Sequence, residues 1–477
     1  MLVTVLKADT ANHPQATMRR RKHPNPLMPS THKPSATPPA RTSRRDFCGR
    51  TATLLLAPAG LLRAVSLAAQ VQPSPPATAT RPDVAAIDHD RILAAAQRTL
   101  TQPPTPLTSL TCPRSPGSAH DYYSEADPSS LTEGNSPASF GPSAPVGPLV
   151  KPGAPSPTSP PFTAHRDALF SLGLAVPALA SAYLLTGEER YAEHAALWLR
   201  AWFVDPATCM TPRLDYGQVV LVPSAPGQRA GGRFEGILET LPLIEIAQCI
   251  PFLASALSPS DRLALHAWFA GYLRWLTEEQ DSGPRLPALA RDRKDHHGTS
   301  WLLQASAYTL LTAPVGDAPR AESSALDDLR HRFRTVTLRA QIAADGSFPN
   351  ELTSSAPYRD SLFNLDMMAA VCQLLSTRFE SVWEVELDDG PGMRSAIAYH
   401  FPFIADRSLW PFRADAEHFN QLPARRVSLL LTARAYQRPE YAALWKSLPP
   451  DPSEPGILRT LPIHQPLLWV RQPPQAA

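Results

Sequence analysis

Residues 165–187 read HRDALFSLGLAVPALASAYLLTG. Leu169, Leu172, Leu174, Val176, Leu179 and Tyr183 recur at helical spacing, and Gly187 follows them. That pattern predicts a helix closed by a left-handed glycine. The texture repeats downstream. The stretches from Tyr191 to Phe203, Phe234 to Leu257, Leu263 to Leu276, Trp301 to Leu311, Ala325 to Ile342, Leu362 to Leu375, Val427 to Tyr436 and Tyr441 to Leu448 all read as helix. Ser258-Pro259-Ser260-Asp261 supplies capping residues for one of them. Period-two alternation is scarce, with Val219 to Val222 and Val382 to Leu387 as weak exceptions. Helix after helix over about 300 residues leaves an α-solenoid or a closed α/α toroid. No strict sequence repeat supports a solenoid. The expected fold is all-α: an α/α toroid, an incomplete α/α barrel of helical hairpins, with loops gathered at one end where a cleft can form.

Upstream the texture differs. The 477-residue chain has 54 prolines, and they crowd residues 24–161. That is roughly twice the usual share of about 5%. At 43% hydrophobic the chain is not disordered throughout. A net charge of +2 argues against a dedicated nucleic-acid binder, while leaving room for a local basic site for an acidic sugar. Five cysteines are too sparse for a disulfide scaffold. No membrane span is expected in the mature chain, on the reading that no apolar run reaches the ~18 uncharged residues a span needs.

Ser43-Arg44-Arg45-Asp46-Phe47-Cys48 precedes a mild apolar stretch from Thr51 to Leu62 and small residues at Ser66, Ala68 and Ala69. This order predicts a twin-arginine export signal cleaved near Ala69, with the export machinery as the precursor's partner and the periplasm as destination. Three regions follow: a basic leader plus signal over 1–69, an irregular Pro-rich arm over 70–162, and the toroid over 163–477. Cys112, Cys209, Cys249 and Cys372 remain after cleavage, and none lies in a C-x-x-C pair. They are expected as buried thiols, with no cysteine zinc site.

The sharpest chemical feature is Arg293-Lys294-Asp295-His296-His297-Gly298-Thr299-Ser300-Trp301. Two histidines sit just before an expected helix that Thr299 or Ser300 can cap. A helix N-terminus favours anions and depresses a nearby histidine's pKa. A second feature, Asp345-Gly346-Ser347-Phe348-Pro349 with Asn350-Glu351-Leu352 and Pro357-Tyr358-Arg359-Asp360, offers a loop that can hold a proton-transfer pair. A third is the aromatic-proline tail: Tyr399, Phe401-Pro402-Phe403, Trp410-Pro411-Phe412 and Phe419. In the arm, His120-Asp121-Tyr122-Tyr123-Ser124-Glu125 can either line a sugar site or anchor the arm on the body.

Several of these pieces resemble the alginate lyase superfamily. They are Arg114-Ser115-Pro116-Gly117 with His120 to Glu125, Phe162-Thr163-Ala164-His165-Arg166, and His297-Gly298-Thr299, which is similar to the family's Asn-Asn-His-Gly signature. Asp345 to Pro349, Glu351-Leu352, Ser361-Leu362-Phe363-Asn364-Leu365, Trp410-Pro411-Phe412 and Pro462 to Trp469 follow in order. The resemblance implies a periplasmic α/α toroid that acts on a polyuronate by β-elimination, without metal or cofactor. The C5 proton of a uronate is poorly acidic until its carboxylate is neutralised. A base must then take it, and an acid must protonate the departing O4.

The chain departs from the family pattern at defined places. Asp295 and His296 stand at the two Asn positions, Ser354 at the Arg position, and Asp360 at the Tyr position, with Tyr358 two residues earlier. On this reading His297, His296 and Tyr358 are the catalytic candidates. Arg166, Arg233, Lys294, Arg359, Tyr122 and Tyr123 are the substrate-binding candidates, with an anionic polysaccharide or oligosaccharide as partner. Two other classes share the cleft: a catalytically degenerate carbohydrate-binding protein, and a glycoside hydrolase that pairs carboxylates among Asp121, Glu125, Asp345 and Asp360.

Overall fold

The structure, a computed structural model, describes residues 77–126, 160–220, 231–278, 286–313 and 319–471. The expected signal segment lies outside them. The main helices are α1 (His89–Thr99), α2 (Ala164–Thr186), α3 (Glu189–Leu199), α4 (Pro242–Cys249), α5 (Pro259–Thr277), α6 (Leu286–Arg291), α7 (His296–Thr312), α8 (Pro319–Arg332), α9 (Pro357–Leu375), α10 (Met393–Ala405), α11 (Val427–Tyr436) and α12 (Pro439–Ser447). Two short parallel strands, β1 (Tyr123–Glu125) and β2 (Tyr216–Val219), pair Tyr123 with Tyr216.

Helices α2, α4, α7, α9 and α11 form the inner layer, each packed on the next. Their burial is nearly continuous along the sequence. A helix that is apolar all round has to be covered all round. Helices α1, α3, α5 and α12 supply that cover, packing on α2, α7 and α11. This is the expected toroid of helical hairpins. Against expectation, α2 is long and apolar enough to cross a membrane, but about two-thirds of it is buried within the fold, as in a core helix. Gly173 sets how closely α2 meets α4: a Cβ there would lie 2.3 Å from the Cβ of Pro242.

The stretch from Phe234 to Leu257 is not one helix. It runs as 3-10 helix over Phe234–Thr240, α4, then 3-10 helix over Ile250–Leu253. Pro242 and Pro251 each lack the N–H that a continuous ladder needs. The irregular arm expected over 70–162 contains regular structure: α1 packs on α2, and β1 is buried against β2. Val382–Glu384 forms a 3-10 turn rather than a strand. Cys249 and Cys372 are buried, Cys112 and Cys209 half-buried, and all four are free thiols.

The ring closes through its tail. Glu245 on α4 accepts hydrogen bonds from the His464 and Gln465 backbone N–H groups (2.7 and 2.9 Å) and from Trp469 Nε1 (3.3 Å). Arg425 Nη1 reaches Asp88 at 2.6 Å, tying the start of α1 to the end of the ring. Between α9 and α11, the buried Arg426 meets the buried Asp366 at 3.0 Å.

Candidate active site

Three segments converge at the start of α7. The first is Asp295, whose Oδ1 accepts the His297 backbone N–H at 3.1 Å and so caps the helix. The cap lies four and five residues before Thr299 and Ser300, so both histidines belong to the first turn rather than preceding it. Gly298 permits that tight turn, since a Cβ there would lie 2.2 Å from the Arg293 carbonyl oxygen. The second segment is the short helix Pro349–Leu352, which carries Glu351. The third is the first turn of α9, which carries Asp360.

The two imidazoles face each other with centroids 4.2 Å apart. Glu351 grips His296 twice, accepting its backbone N–H at 2.6 Å and its Nδ1 at 2.8 Å. His297 Nδ1 lies 3.1 Å from Asp295 Oδ1, and Arg293 Nε donates to the other Asp295 oxygen at 3.0 Å. The edge of Phe234 packs on the His297 ring at 5.3 Å, and the Arg293 guanidinium covers the same phenyl.

The electrostatics separate the two rings. Burial disfavours charge on His296, but Glu351, Asp360 and Asp295 outweigh it and raise its pKa to about 9. Burial and the adjacent His296 charge together push His297 below the usual imidazole value, against the pull of Asp295. Near neutral pH the pair is therefore an imidazolium beside a neutral imidazole. With Nδ1 of His297 held by Asp295, its Nε2 is the atom left to exchange a proton. Among the described residues, His296, Glu351 and Asp360 also bring possible metal-ligand atoms within 4.8 Å of one another. Glu351 holds His296, and Arg359 holds Asp360 at 2.8 Å.

The other candidates are placed as follows. Arg359 is at the site but paired with Asp360. Arg233 is paired with Glu235. Lys294 is exposed beside the histidines, and its carbonyl accepts from Asn350 Nδ2 at 2.7 Å. Arg166 stands apart, 4.0 Å from Glu239.

Three tyrosines are corrections. Tyr358 is fully buried, donates its hydroxyl to the Phe403 carbonyl at 2.8 Å, and packs edge-on against Trp410 and Phe419. A phenol engaged in this way anchors the aromatic tail rather than serving as an acid. Tyr122 and Tyr123 are likewise buried, with hydroxyls on Glu239 (2.8 Å) and Glu125 (2.7 Å); they anchor the arm. The hydrolase carboxylates are also engaged. Arg114 holds Glu125 in a bidentate pair, Ser118 holds Asp121, and Ser347 holds Asp345. Phe234 was not legible as a site residue, because it reaches His297 only through the fold.

A family model described as Alginate lyase matches residues 107–410. A crystal structure of an alginate lyase from Bacteroides ovatus superposes with a TM-score of 0.58 at 23% identity, over 79% of this chain and 93% of that one. A structure of a histidine-to-alanine variant of alginate lyase A1-III complexed with tetrasaccharide gives a TM-score of 0.44 at 14% identity, over 79% and 92%. No curated protein sequence matches the chain.

Proposed function

The chain belongs to the alginate lyase family, and from that premise we propose that it is a polysaccharide lyase cleaving a uronate-containing, alginate-like polymer by β-elimination. The observation that carries this reading is the charge-separated histidine pair. In the proposed reaction the His296 imidazolium faces the uronate carboxylate and withdraws its charge, acidifying C5. His297 Nε2 takes the C5 proton, and Asp295 stabilises the cation that forms. The C5–H and C4–O4 bonds break and a C4–C5 double bond forms. With Tyr358 engaged elsewhere, the protonated His297 is the acid that returns a proton to O4, which requires both atoms on one face of the sugar.

The reading sets a pH window for kcat/KM. Activity falls on the acid side as His297 becomes protonated, at a pH below its ordinary value near 6.5. It falls on the alkaline side as His296 loses its proton at about 9. A pH profile with a broad plateau between these limits is the expected result; activity that rises steadily past pH 9 contradicts the imidazolium role. The periplasmic destination is part of the same proposal and rests on Arg44-Arg45 and the segment that follows. Cell fractionation of a variant with both arginines changed to lysine tests it, with retention in the cytoplasm as the expected outcome and unchanged export as the contrary one.

A further inference from the structure

A cavity of about 170 Å³ lies between the start of α2, the Phe234–Thr240 turn and the C-terminal tail. Arg166, Phe170, Gln218, Glu239, Arg459 and His464 line it. We propose that this cavity is a second sugar subsite, holding a uronosyl residue with its carboxylate on Arg166 and Arg459 and a ring hydroxyl on Glu239. The polymer's identity rests on the function proposed above; the binding itself does not require catalysis.

Glu239 is the strongest pointer. It is buried, and its Oε2 accepts from Tyr122 (2.8 Å) and Ser124 (2.6 Å). Its Oε1 accepts no hydrogen bond and stands 4.0 Å from Arg166. A buried acceptor with no donor is costly, and a sugar hydroxyl entering the cavity fills it. The charges favour an anionic sugar. Arg459 and Arg166 both lie against Asp167, at 2.8 and 3.8 Å, and Arg166 also faces Glu239 at 4.0 Å. Both guanidinium side chains remain about 35% exposed, so a ligand carboxylate can reach them. Arg459 also lies over the Phe170 ring at 4.6 Å, and that ring gives the cavity an apolar wall.

The backbone is arranged around the same point. Gln218 adopts a left-handed φ of 54°, and its N–H is held by Ser124 Oγ at 2.7 Å. A non-glycine residue kept in that region is a feature of ligand clamps. The link to the histidines is direct. Phe234, at the start of the 3-10 turn, touches His297, while Leu238 and Glu239 at its end line the cavity. At ~2 Å rise per residue the turn separates the two sites by roughly 10 Å, the scale of a short oligosaccharide.

The test is calorimetric binding to the full chain, using saturated polyuronate oligosaccharides and their carboxyl-reduced counterparts. Arg459→Ala is expected to weaken binding of the long acidic oligomers by roughly tenfold and to leave the reduced oligomers unchanged. Arg459→Lys is expected to recover part of the loss, which a merely structural role for the tail would not tie to the ligand's carboxylate. Equal affinity of the wild type and Arg459→Ala for the acidic oligomers overturns the subsite. Product assays run alongside keep the two readings apart. Arg459-dependent binding without product sinks the lyase reading and leaves the subsite standing; product formation with Arg459 indifferent does the reverse.

Discussion

Replacing His297 with alanine is expected to lower kcat/KM by roughly 10³-fold or more, with the fold retained. A positioned general acid or base contributes about 10²–10⁴-fold, and in the proposed reaction one imidazole performs both transfers. The side chain is the only part of the residue that the chemistry needs. Its backbone N–H still reaches Asp295, so the helix cap survives the substitution. The loss is therefore expected in kcat rather than in KM, since His297 touches the reacting proton and not the carboxylate. Measuring both constants against thermal stability separates the catalytic effect from unfolding. Activity within tenfold of the wild type, with a normal melting curve, removes His297 from the mechanism.

The second large effect is on stability. Arg426→Ala leaves Asp366 as an unpaired group between α9 and α11, where both side chains are about 1% exposed. Breaking a buried pair by removing one partner costs about 3–5 kcal/mol, because the remaining charge has no solvent. Ser428 still donates to Asp366 through its backbone N–H and hydroxyl, at 3.0 and 2.6 Å, but these bonds do not neutralise it. Denaturant titration is expected to show a lower midpoint for Arg426→Ala. Combining Arg426→Met with Asp366→Leu is expected to recover most of the loss, since apolar replacement of a whole buried pair is often neutral. A double variant no better than the single one contradicts this reading.

The helical body was legible because its periodicity is strong and burial is nearly continuous, as in α2 and α9. Boundaries failed where proline acted against that periodicity, at Pro242 and Pro251. The histidine pair was legible from local sequence, since Asp295, His296 and His297 are consecutive and the cap organises them. Glu351 and Asp360 stood out as carboxylates in the second feature, but their approach to His296 is a property of the fold. Tyr358 was misplaced for a physical reason: a phenol beside Arg and Asp reads the same in sequence whether it faces a cleft or a cage of Trp410 and Phe419. Tyr122 and Tyr123 present the same ambiguity, and burial resolves it toward anchoring. Arg459 carried no signal, because its meeting with Asp167 depends on the tail folding back onto α2 and α4.

The proposed chemistry is β-elimination on a polyuronate by a charge-separated histidine pair. Its most direct test is the ultraviolet absorbance and mass of the products formed from alginate and related polyuronates. New absorbance from an unsaturated uronate end is expected, with fragments that sum to the mass of the starting chain, both absent with His297→Ala. Fragments that each gain a water without new absorbance, or bound polymer that stays intact, contradict it.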